Sequence, residues 1–212
     1  MFDLEGRAHL ENTLGGRNGH LFRRIVHLSM MIFPILYYWH GEQISETFSK
    51  VINLEFSRED LVTFILVLII IIELIRLFFG ITIFGQRTYE AKQFSALAWG
   101  GISICLCLLF APLGGYNGSY IGLPIIFTIS IVDPLLGETR KFMKSTKLII
   151  FLALVVSMSI WILSSVFLET PLWLTLIMPP LAIAAEWPSL KYIDDNATMI
   201  LVPLAASLVL LM

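Results

Sequence analysis

Long apolar stretches make up most of this chain, and its polar residues gather in short clusters between them. A helix that crosses a bilayer needs about 20 mostly apolar residues. That rule predicts spans at 22–40, 61–79, 94–112, 120–136, 148–168, 171–185 and 197–212. The sixth is short and carries Pro179-Pro180, a pair expected to disturb a helix. Neither a soluble domain nor a long linker interrupts the series. The fold class is read as all-α: a polytopic integral membrane helix bundle of about seven transmembrane helices. Residues 1–21 are an N-terminal segment, and 22–212 a single transmembrane helical domain. The first segment is polar and mixed in charge, which is not the pattern of a signal peptide.

Composition agrees with this pattern. Of 212 residues, 57% are hydrophobic and 14% charged, against about 25% charged in soluble domains. A water-soluble globule, a disordered chain and a nucleic-acid binder with a basic face are all excluded. Cys105 and Cys107 sit in an apolar run and read as small buried hydrophobes rather than a zinc framework.

Lys and Arg accumulate in cytoplasmic loops. Arg7, Arg17, Arg23 and Arg24 precede or open the first span. Arg76, Arg87 and Lys92 follow the second, Arg140, Lys141, Lys144 and Lys147 the fourth, and Lys191 the sixth. The alternate loops hold only Lys50 and Arg58. The N-terminus is therefore expected in the cytoplasm. The acidic loop 42–60, the glycine-rich turn 114–119 and the C-terminus are expected outside.

Ionisable groups inside spans are costly and mark functional sites by default. Arg24 and His27 share a helix face at spacing i, i+3, as do Glu73 and Arg76. Snorkelling to headgroups is the ordinary alternative for Arg23 and Arg24, and a self-neutralising pair for Glu73 and Arg76. Glu90 and Lys92 fit plain surface charge as well. Asp133 ends an apolar run, and Glu138 stands five residues on; two such carboxylates can hold a divalent cation. Arg140, Lys141, Lys144 and Lys147 follow as donors suited to phosphate oxygens. Glu186 closes the sixth span, and Asp194-Asp195-Asn196 opens the seventh, where one residue also serves as helix N-cap. All of these clusters fall on the cytoplasmic side. They suggest a polar site between water and lipid.

The order of these motifs resembles the polyprenol kinase family, which includes dolichol kinase, phytol kinase and CTP-dependent diacylglycerol kinase. The matching elements are Arg23-Arg24-Ile25-Val26-His27, Glu73-Leu74-Ile75-Arg76, Arg87-Thr88-Tyr89-Glu90, Asp133, Lys144-Ser145, Glu186, and Asp195-Asn196 through Pro203. Leu136, Thr139-Arg140-Lys141 and Thr146-Lys147-Leu148 depart from the family pattern.

The resemblance implies a membrane-bound lipid-alcohol kinase that takes CTP as phosphoryl donor and Mg²⁺ as cofactor. Its acceptor would be an isoprenoid alcohol of the dolichol, polyprenol or geranylgeraniol type. Asp133, Asp195, Glu138 and Asn196 are the candidate metal ligands. Arg24, Arg140, Lys141, Lys144, Glu73, Arg76 and Glu90 are the candidate nucleotide- and phosphate-binding residues. Asp133, Glu186 and His27 remain open as the base. The chain carries no P-loop motif, so the nucleotide is expected to be held another way. Two alternatives stand beside this one: a CTP-dependent cytidylyltransferase making a CDP-activated lipid, and a non-catalytic membrane protein or transporter. The expected partners are CTP, a lipid alcohol and the bilayer, with no nucleic acid. The expected location is a prokaryotic plasma membrane, with an endomembrane as the alternative.

Overall fold

The computed structural model describes residues 13–187, 190 and 192–211. Arg7 and Lys191, both used to orient the chain, lie outside them. The described residues form eight α-helices and two short 3₁₀ turns, with no strand among them. The helices are α1 (Gly16–Ser29), α2 (Ile32–Ile52), α3 (Arg58–Phe78), α4 (Ala96–Phe110), α5 (Gly122–Phe142), α6 (Thr146–Phe167), α7 (Leu174–Ala184) and α8 (Asp195–Leu210).

Four of these bounds correct the sequence-based expectation. The span predicted at 22–40 is interrupted at Met30-Met31, between α1 and α2. Pro34 is the cause: it offers no N–H to the carbonyl of Met30 and its ring crowds that carbonyl. The acidic loop predicted at 42–60 is largely helix, because α2 continues to Ile52 and stops only at the left-handed Asn53. A capping box between Ser57 and Asp60 then starts α3. The fourth span does not end near Asp133. It runs on through Pro134 to Phe142, so Glu138, Arg140 and Lys141 are helical residues. Pro179 and Pro180 lie inside α7 without breaking it.

α3, α5 and α6 are long and apolar enough to cross a membrane by length and composition. α4, α7 and α8 are apolar but shorter. The 11 residues of α7 rise only about 17 Å, against a hydrocarbon core of about 30 Å.

α5 is the centre of the bundle. It packs against α1, α2, α4, α6, α7 and α8. Ile125, Ile126, Ile129, Val132 and Leu136 line its buried surface. Trp161 of α6 donates its indole N–H to Thr128 of α5 at 3.1 Å, inside the core. α3 lies at the periphery, against α2 and α4. Its Phe64, Ile65, Val67, Leu68, Ile71, Ile72, Leu74 and Ile75 are all exposed.

Close approach of α2 to α5 depends on Gly122. A methyl group there would collide with the Tyr38 hydroxyl and touch Ala111. That hydroxyl is buried and has no hydrogen-bond partner. Gly122→Ala should destabilise the protein by about 1–3 kcal/mol through overpacking. Adding Tyr38→Phe should restore most of that loss, because it removes the clashing and unsatisfied oxygen. Thermal unfolding of the two single variants and the double variant checks this coupling.

Candidate functional site

The middle of one helix and the ends of two others bring three acids to one place. Asp133 stands on α5, Glu186 in the turn after α7, and Asp195 at the first residue of α8. One carboxylate oxygen from each lies within 4.8 Å of the other two. Asp194 takes the N-cap role of α8, and the carboxylates of Asp194 and Asp195 both accept from the Asn196 N–H, at 3.1 and 3.0 Å. Asn196 is 1% exposed. Its side-chain amide nitrogen and oxygen both lack a partner.

Basic side chains surround the acids. Arg140 follows Asp133 by seven residues, two helical turns, which puts both on one face of α5. Its guanidinium meets Glu186 at 2.7 Å and lies over the Trp187 ring. From α1, the Nδ1 of His27 sits 3.1 Å from Asp133 Oδ2, ion-pair distance without hydrogen-bond alignment. Arg24, one turn earlier, donates to the Pro134 carbonyl at 2.8 Å. It crosses α5 at Gly137, where a Cβ would strike its guanidinium. Gly137 is thus a site-building residue that the sequence reading missed. Its signal was a glycine one helical turn beyond the acid, but the span was expected to end at 136.

The remaining expected site residues fall elsewhere. Glu138 is not part of the acid cluster. Five residues along a helix turn it about 140° from Asp133, and there it pairs with Arg24 at 3.3 Å and Lys141 at 2.9 Å. Lys144 is exposed in the link between α5 and α6. Glu73 and Arg76 form a buried bidentate pair that also binds the chain around them. Arg76 donates to the carbonyls of Ile81 and Gln93, and Glu73 accepts from the Ser95 N–H. Glu90 accepts from Arg23 and from the backbone of Arg87 and Ala96. These residues tie down segment 79–95, and none belongs to the acid cluster.

No family model, curated protein or solved structure matches this chain. The chemistry of the site is therefore read from its geometry.

Convergent carboxylate oxygens are hard donors and suit a hard divalent cation such as Mg²⁺. The orphaned Asn196 amide adds an oxygen of the same kind nearby. Burial pushes Glu186 up to about 7; the Arg140 guanidinium opposes this, and Asp133 and Asp195 push it further. Burial also raises Asp194, with Asp195 adding to the effect. Since Glu186 holds its proton more tightly when folded, its contribution to stability is full below about 4.5 and is lost as pH rises through about 7. A divalent cation would replace that proton and relieve the repulsion.

Two measurements follow. Mn²⁺ bound by the purified protein, read by electron paramagnetic resonance, should weaken as pH falls from about 8 to about 6. Asp195→Asn should weaken it by at least about tenfold at the higher pH. Separately, Glu73→Ala leaves Arg76 buried without its partner and should cost about 3–5 kcal/mol in thermal unfolding. Mn²⁺ binding by the folded fraction of that variant should be unchanged.

Proposed function

We propose that this protein is an integral membrane lipid-alcohol kinase that transfers the γ-phosphoryl group of CTP to an isoprenoid alcohol at the cytoplasmic face. The observation that carries this reading is the acid trio with its cationic surround, at one end of an apolar helix bundle. The exposed apolar faces of α3 and α6 suit lipid rather than water. Basic residues on the same side suit a cytoplasmic rim. The choice of CTP rests on the resemblance to the polyprenol kinases.

Phosphoryl transfer depends on positioning and on charge compensation more than on covalent chemistry by the protein. Asp133, Glu186 and Asp195, with Asn196 beside them, would hold a divalent cation, whose chemistry there is to neutralise phosphate charge. Arg140 and Arg24 sit beside the carboxylates, where their guanidinium groups can take phosphate oxygens. His27 stands 3.1 Å from Asp133 and also lines a small cavity. That position suits it to accept the proton of the attacking alcohol. The alcohol oxygen bonds to the γ-phosphorus, the bond from that phosphorus to the β–γ bridging oxygen breaks, and CDP leaves.

The test is a paired radiolabel assay on membranes containing the protein, with Mg²⁺ and a mixture of isoprenoid alcohols and diacylglycerol. Label should enter lipid from γ-labelled CTP and not from α-labelled CTP. Entry from the α-label alone, once phosphorylated lipids are supplied, would replace this reading with cytidylyl transfer. Asp133→Asn should abolish transfer while the protein remains folded and inserted. His27→Gln should lower kcat by about 10²–10⁴-fold with little change in the KM for CTP. Near-normal turnover in Asp133→Asn would refute the assignment of the trio.

A further inference from the structure

A cavity of about 530 Å³ lies between α1, α2, α3 and α4, away from the acid trio. Its walls are apolar, with Phe33, Ile69, Ile72, Ile75 and Ile104 among them. Most of the few polar groups on its lining are engaged by the protein. Glu73 and Arg76 hold each other, the Gln86 carbonyl oxygen accepts from the Ile83 N–H, and the Ser95 hydroxyl accepts from the Ala98 N–H. The Ser29 hydroxyl donates to the Val26 carbonyl. With so few polar atoms on the lining and most of them engaged, the matching chemistry is hydrocarbon.

Two features limit which hydrocarbon fits. First, the cavity opens sideways. Phe33, Ile72 and Ile75 on its wall are about half exposed, at 51%, 56% and 53%, so a chain can enter from the lipid side. Second, it leads toward the chemistry. Val26, Met30, Ile83, Gln86 and Leu97 also line a second, smaller cavity of about 40 Å³, and His27 forms part of that one. His27 in turn stands 3.1 Å from Asp133. The five shared residues form a neck between the two cavities, and the smaller cavity reaches His27. At roughly 30 Å³ for a water- or methylene-sized group, the larger cavity holds about 15–20 such groups.

We propose that this chamber binds a single hydrocarbon chain of the acceptor alcohol, about 15–20 carbons of it, with the hydroxyl passing through the neck to His27. This rests on the kinase reading and adds to it: the head end of the chain is held between α1, α2, α3 and α4, and any carbons beyond the chamber lie in the bilayer. Diacylglycerol, with two chains at its headgroup, is the poorer fit.

The test does not depend on turnover. Protein in nanodiscs is illuminated with a diazirine-tagged linear isoprenoid alcohol of about 20 carbons, and separately with diazirine-tagged phosphatidylcholine. The alcohol should label segments 26–33 and 97–104 and be displaced by untagged alcohol. Phosphatidylcholine should label the exposed faces of α3 and α6 instead. Ile72→Trp fills the chamber from an exposed position and should cut alcohol labelling by about tenfold or more. Leu97→Trp, at the neck, should do the same, and Mn²⁺ binding should show both variants to be folded. Alcohol labelling that ignores both substitutions would overturn the chamber, and so would equal labelling of it by phosphatidylcholine. Labelling as expected without phosphoryl transfer would remove the kinase reading alone. Transfer with labelling elsewhere would remove the chamber alone.

Discussion

Three carboxylates from separate helices, with oxygens within 4.8 Å of one another, repel strongly wherever water is scarce. The fold holds them together through what it places beside them. Arg140 meets Glu186, His27 meets Asp133, and Arg24 lies over the same turn of α5. Glu186 keeps its proton to about 7. A site of this kind is incomplete without further positive charge, which either a proton or a divalent cation can supply. The repulsion that makes the cluster costly is therefore also what gives it a use.

The central helix makes that convergence available. α5 packs against six of the other helices, and its polar end stays helical past Asp133 instead of unwinding into a loop. Helical spacing then sorts its charged residues. Asp133, Gly137 and Arg140 fall on the face toward α1 and the Glu186 turn. Glu138 falls on another face and serves the surface. The buried Glu73–Arg76 pair plays a separate part at the end of α3. It holds segment 79–95 in place, and that segment supplies Ile83 and Gln86 to the neck between the two cavities.

Apolar surface and polar rim thus divide the labour. Faces of α3 and α6 that no protein atom covers give the bundle a lipid-compatible exterior. The acid trio and its arginines are gathered at one end. Between the two lies a chamber with mostly apolar walls, which suits hydrocarbon.

Much of this was legible in the sequence. Long apolar runs require helices, because a backbone in apolar surroundings must satisfy its own N–H and C=O groups. The acids and the Arg24–His27 pair stood out because ionisable residues in such runs are costly. Residue type and spacing could not show which acids meet. Glu138 is nearer to Asp133 in sequence than Glu186 or Asp195, yet the helix turns it away, while tertiary packing carries the two distant acids in. Continuation of α5 past Pro134, the passage of Arg24 across Gly137, and the chamber between four helices are likewise products of packing. Each depends on how surfaces far apart in the chain fit together, and local pattern carries no record of that fit.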